Sequence, residues 1–129
     1  MNTELISKVL KRIEKDHKHF YMGWFRKRLT KKELNNYNTL DCGTVCCFAG
    51  EIVIEALGPG ALFKLPEGSI PDVAATIAGL TEDDQRNLFY TRSDSAYGGR
   101  IRHVPGTKAY AKYVTGCIRK YLAKKGYTV

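Results

Sequence analysis

One stretch constrains this chain more than any other. Val45-Cys46-Cys47-Phe48-Ala49-Gly50-Glu51-Ile52-Val53-Ile54-Glu55-Ala56-Leu57 is apolar almost all round when wound at helical period. A helix without a wide polar face must be surrounded by protein, so this one is expected at the centre with the others packed on it. Glu51 and Glu55, four residues apart, mark its one polar edge. Asp41 and Thr44 both have cap chemistry, and the sequence leaves open which of them starts the helix. A cap at Asp41 would leave unpaired N–H groups beside Cys42 and Gly43 that can hold an anion, with the carboxylate competing for the place. Gly50 points to close helix–helix contact, and Gly58-Pro59-Gly60 stops the run.

The flanking segments are built to cover such a helix. Asn2 or Thr3 can cap a first helix whose stripe is Leu5, Ile6, Val9, Leu10, Ile13 and Phe20, with Lys8, Lys11, Arg12, Lys15 and Lys18 on its other faces. Phe20-Tyr21-Met22-Gly23-Trp24-Phe25 is the densest aromatic cluster, and Phe20 and Trp24 are expected to cover the core. Residues 35–39 read as a polar loop. Ala61-Leu62-Phe63-Lys64-Leu65 reads as a packed loop or one brief strand. Ser69-Ile70-Pro71-Asp72 starts a short helix that ends at Gly79, and Thr81 starts another that packs through Leu88, Phe89 and Tyr90. Thr107 caps the last helix, with a stripe of Tyr110, Tyr113, Val114, Cys117, Ile118, Tyr121 and Leu122 and an end at Gly126. The expectation is a mainly α, single-domain bundle of about five helices over residues 1–129, with a long basic loop and room for one short strand pair.

Charge is unevenly spread along the 129 residues. Residues 1–35 carry a balance of +6, residues 36–91 carry −6, and residues 92–129 carry +8, giving the net +8. Two basic ends around an acidic middle suggest an anionic partner for the ends, held by attraction and counterion release. The alternative is that the lysines only solvate helix faces. The longest polar loop, 91–106, is the first choice for a ligand site, because long loops of biased chemistry more often carry function. Arg92, Arg100, Arg102 and His103 could converge there on phosphates, Tyr97 could stack on a base, and Gly98 and Gly99 permit close approach. Arg26, Lys27 and Arg28, beside the aromatic cluster, are the second choice.

Other chemistry finds little support. The helix pair at 73–90 has helix-turn-helix spacing, but Glu82, Asp83 and Asp84 open the would-be reading helix and repel phosphate. Cys42, Cys46 and Cys47 lack a second Cys/His pair at ligand spacing, and His17 and His19 point apart on a helix, so no metal is expected. Cys42 at a helix start could be a nucleophile with His17, His19 or His103 as base, but no spacing links them, and no paired carboxylates, phosphate loop or serine elbow is present. No cofactor is expected, and enzyme is the minority reading. Four cysteines without a framework spacing, no basic-then-apolar start and no long apolar run lead to the expectation of a soluble, cytoplasmic protein without a membrane partner.

Several motifs together resemble a group of small proteins from phages and bacterial genomes. They are Phe20-x-Met22-x-Trp24, then Cys42-Gly43-Thr44-x-x-Cys47-x-Ala49-Gly50, then Ala75-x-x-x-Gly79-Leu80 and Leu88-Phe89. They cover about two-thirds of the chain in order, and Glu51 stands where that group commonly has an aromatic residue. The group has no assigned activity, so the resemblance implies a phage-type accessory protein but no functional residues. Joined to the charge pattern, it leads to the expectation of a protein that interferes with host defence by binding a nucleotide signal or nucleic acid without catalysis, in the host cytoplasm. The competing expectation is an interaction module whose acidic middle docks a host protein. The tyrosine-rich surface could also support a homo-oligomer.

Overall fold

Asn2 opens the first helix as its cap: its side-chain oxygen accepts from the Leu5 N–H at 3.0 Å. The helix, α1, spans Thr3–Lys15 and buries Ile6, Val9, Leu10 and Ile13, a stripe repeating at three and four residues. Each such side chain withdrawn from water contributes about 1.5–3 kcal/mol before the cost of ordering it. The computed structural model describes residues 1–23, 27–28, 44–45 and 47–129, those at 27–28, 44–45 and 67 by backbone alone. A 3-10 turn, His17–His19, follows α1 and delivers Phe20 into the core.

Lys27–Arg28 (β1) and Thr44–Val45 (β2) form a two-residue antiparallel ladder, with Lys27 opposite Val45 and Arg28 opposite Thr44. The central helix, α2, is Phe48–Leu57, and its cap position is Cys47, in extended backbone without a side-chain hydrogen bond. The helix therefore starts later than Thr44. The β-branched pair Thr44 and Val45 favours extended backbone and is used in the ladder instead. Asp41, Cys42 and Cys46 lie outside the described residues. As expected of an all-round apolar helix, α2 is central: it packs against α1 and against the two helices that follow it. Glu51 and Glu55 form not an open edge but a seam with α1, where Arg12 Nε meets Glu51 Oε2 at 3.0 Å and Arg12 Nη1 meets Glu55 Oε2 at 3.5 Å.

Gly58 ends α2 at φ +90°, and Pro59 starts α3, Pro59–Lys64. The 61–65 stretch is thus helical rather than loop or strand. Leu62 alone turns inward while Phe63 and Lys64 stay exposed, which is one inward position per turn. A 3-10 turn, Glu67–Ser69, leads to α4, Ile70–Ala78. Ser69 does not cap α4, because its hydroxyl donates to the Pro66 carbonyl at 2.7 Å and closes the preceding turn. Gly79, left-handed at φ +69°, ends α4 as its position predicts. Helix α5, Glu82–Leu88, begins with a capping box: the Asp84 N–H donates to Thr81 Oγ1 at 3.1 Å and the Thr81 N–H to Asp84 Oδ2 at 3.0 Å.

After an irregular stretch, α6 covers Lys108–Lys124 and lies against α1. The Glu14–Arg119 pair at 2.6 Å joins the two, but both partners are part-exposed, so it contributes at most about 1 kcal/mol. Their apolar faces hold them together. Side chains from each of the six described helices meet in one core cluster, and the chain is mainly helical. Among the described residues no helix is long and apolar enough to cross a membrane.

Candidate anion-binding cleft

The 91–106 loop is shaped by a few fixed points. Tyr97 is buried, and its hydroxyl donates to the Leu88 carbonyl at the end of α5. Its own carbonyl accepts from the Tyr113 hydroxyl of α6 at 2.9 Å. The Ala96 N–H donates to the Asn87 carbonyl at 3.1 Å, and the Gly98 N–H closes a turn on Ser95 at 3.1 Å. Gly98 and Gly99 then take φ +69° and +107°, backbone that side-chain-bearing residues rarely adopt. That reversal carries the chain from the core out to Arg100. At the far end, the Thr107 hydroxyl donates to the Val104 carbonyl at 2.6 Å and accepts from the Tyr110 N–H at 3.2 Å, fixing the loop to the start of α6.

Between this loop and the segment after α1 lies a cleft of about 710 Å³, in the range of small-molecule sites. Gly98, Arg100, Arg102 and His103 line one side, with Ile101, Val104 and Pro105, and Tyr21, Gly23 and Tyr110 line the other. Among the described residues no carboxylate lines it. Arg100 and Arg102 are exposed and make no ion pair with any described residue, so their guanidinium forks remain available to a planar anion. The His103 ring lies against Tyr113, centroids 5.4 Å apart, which sets the imidazole's direction.

The opposite wall is aromatic. The Tyr110 hydroxyl accepts from the Met22 N–H at 3.0 Å, and its ring meets Phe20 edge-on at 5.9 Å and Tyr21 at 6.2 Å. A Cβ on Gly23 would run into the far end of the Tyr21 ring, so a side chain there would need that ring to move.

Four of the residues expected at a ligand site, Gly98, Arg100, Arg102 and His103, thus share one cleft. Gly99 sets the reversal beside it. Two do not fit the expectation. Arg92 points to a separate hollow with Asp83, Arg86 and Asn87 and meets Asp94 at 3.7 Å, so an acid holds it. Tyr97 is unable to stack on a base, because its ring is a core side chain and burial pushes its hydroxyl's pKa up, keeping it a neutral donor. Lys27 and Arg28 are placed only as β1, and Arg26 lies outside the described residues. Sequence reasoning did not name Tyr21, Gly23 or Tyr110, nor Thr91, Ile101, Val104 and Pro105 of the loop itself, as lining residues. Tyr110 carried a signal only for the core, because it falls on the buried stripe of α6.

A second basic hollow, along α1, is less suited to anions. Lys8, Lys11, Arg12 and Lys15 share it with Asp16 and Glu55, and Arg12 is already engaged by two carboxylates. Among the described residues no group of three or more His, Cys, Asp or Glu side chains could hold a metal ion. Cys47 is fully buried, and burial pushes its thiol up to about 12, so at neutral pH it is a protonated packing residue. Cys42, the nucleophile considered from the sequence, lies outside the described residues.

No protein family matches this chain, and no curated protein or solved structure does either.

Proposed function

We propose that this chain is a non-catalytic binding protein for a phosphate-bearing ligand of nucleotide type, held in the 91–105 cleft. One observation carries the reading: Arg100, Arg102 and His103 line a single cleft to which no described residue contributes a carboxylate. Two guanidinium forks match phosphate oxygens bidentately, and a left-handed glycine beside them lets backbone approach the ligand. The half-buried Tyr21 ring, with Ile101 and Pro105, offers apolar and aromatic surface for a base, which bare phosphate would not use. Capture without turnover is the activity such a site supports. In a phage-type setting, which the Cys-Gly-Thr motif suggests, capture would withhold a nucleotide signal or nucleic acid from host defence.

The acidic middle favours the rival docking reading less than its charge implies. Glu51 and Glu55 face Arg12, Asp84 faces Lys125, and Asp83 lies between Arg86 and Lys125. Carboxylates engaged in this way offer less to a basic partner.

A thermal-shift screen over cyclic and linear nucleotides tests the proposal. A ligand at a hundred times its Kd stabilises the fold by about 2.7 kcal/mol, a shift of several degrees. Substituting Arg100→Ala and Arg102→Ala together should lower affinity about a hundredfold, at about 1.4 kcal/mol per lost charge-assisted bond, with the unliganded melting temperature unchanged because both side chains are exposed. If no nucleotide shifts the melting temperature, the reading fails.

A further inference from the structure

Helix α6 leads away from the cleft and carries a regular row of cations. Lys108, Lys112, Lys120 and Lys124 stand at four-residue intervals, and the missing member of the series is Gly116. All five positions are exposed, and nothing lies within 4 Å of where a Gly116 Cβ would be. The helix contains no acidic residue. The other cations of this region, Arg119 and Lys125, are paired with Glu14 and Asp84, whereas the four lysines of the row make no ion pair with any described residue. Paired cations thus tie the helix to the core, and unpaired ones face outward.

Successive members of the row climb about 6 Å and turn about 40°, so Lys108 and Lys124 are about 24 Å apart along the helix. The row starts at the rim of the cleft. Lys108 follows the cap Thr107, Pro105 lines the cleft, and so does Tyr110 from the first turn of the same helix. A compound with one or two phosphates would fill the cleft and leave the row unused. A strand, with one charge per nucleotide, would continue past Lys108 and wind with the row, a phosphate in reach of each lysine.

We infer that α6 carries the backbone of a single-stranded nucleic acid whose end occupies the cleft, with Lys108, Lys112, Lys120 and Lys124 as phosphate contacts and Gly116 as the point of closest approach. This deepens the nucleotide reading of the cleft and rests on it. A bilayer surface fits less well. The small residues exposed along the row, Ala109, Gly116 and Ala123, have nothing to insert between lipids, and the one large exposed ring on the helix, Tyr113, is held to the loop by its hydroxyl's bond to the Tyr97 carbonyl.

The test measures the full chain against fluorescein-labelled oligothymidylate of about twelve nucleotides, long enough for row and cleft together. Thymidine 5′-monophosphate is titrated in parallel. Six cations (the four lysines with Arg100 and Arg102) predict a log–log salt slope of about −4 for the oligomer, at about 0.7 per phosphate contact. Changing all four lysines to glutamine, which has a similar helix propensity, should reduce the slope to about −1.4 and leave monophosphate affinity and the circular-dichroism melt unchanged.

A lysine variant that keeps the wild-type slope overturns the inference. So does an oligomer that binds no tighter than the monophosphate, or one displaced equally well by polyglutamate of matching charge. If the monophosphate fails to bind the wild type while the slope still falls in the lysine variant, the cleft reading is lost and the row is upheld as a strand-binding surface by itself.

Discussion

Replacing Tyr97 with alanine should lower unfolding free energy by about 3–5 kcal/mol, the range for emptying a buried aromatic site. The ring is among the largest fully buried side chains described, and it is the part of the turn at 95–98 that enters the core, with Ala96 packed only partly against it. Its hydroxyl donates to the Leu88 carbonyl, so one side chain ties the loop both to the cluster and to the end of α5. Tyr97→Phe keeps the ring and removes only that donor, and should cost about 1–2 kcal/mol. Urea denaturation of the two variants separates packing from hydrogen bonding. Ligand affinity should follow the same order. The phenylalanine variant holds the loop in place and binds nearly as the wild type does. The alanine variant must order the loop on binding and binds more weakly. Stability of Tyr97→Ala within about 1 kcal/mol of wild type would show that the ring is not the loop's anchor.

The fate of Tyr97 also shows where sequence reasoning stops. In a polar loop, between Ala96 and Gly98, a tyrosine looks like a surface residue, and periodicity is silent on which way one loop side chain turns. The helices were legible because they repeat. The stripes of α1 and α6, the caps Asn2 and Thr107, and the stop at Gly79 are local patterns whose physics is local. The start of α2 was not, because Thr44 offers cap chemistry and strand propensity at once, and the choice between them is made by pairing with residues 27–28 far along the chain.

The same division holds at the site. A loop rich in arginine was visible, but its sorting was not. Arg92 meets Asp94, two residues away, while Arg100 and Arg102, beyond the reversal at Gly98 and Gly99, pair with no described acid. The aromatic wall was hidden for a different reason. Tyr110 belongs to the buried stripe and to the cleft together, and a pattern read one face at a time assigns it only the first role.

Asp84→Ala should destabilise the fold by about 3 kcal/mol, because one carboxylate serves three structures. It closes the capping box of α5 with Thr81, accepts from the Tyr121 hydroxyl at 2.9 Å, and meets Lys125 Nζ at 2.6 Å at the end of α6. Without it, Lys125 can turn to water or to Asp83, 3.6 Å away, which keeps the loss at the lower end for a broken buried pair. Burial works to raise the Asp84 pKa. The Lys125 hydrogen bond, then the bonds from Thr81 and Tyr121, outweigh it and hold the carboxyl below its ordinary value. A depressed folded pKa contributes stability that is fully present above the unfolded value of about 3.9 and is lost as pH falls through the folded one. The difference between wild type and Asp84→Ala should therefore be constant from pH 5 to 8 or so and shrink below about pH 4. At the other end the Lys125 pKa is raised, chiefly by the Asp84 bond and then by Tyr121, so the pair holds until strongly alkaline pH removes the lysine's proton. Denaturation curves across acid pH measure the effect directly. A gap between wild type and variant that stays constant below pH 4 would mean that Asp84 acts through its shape and not through its charge.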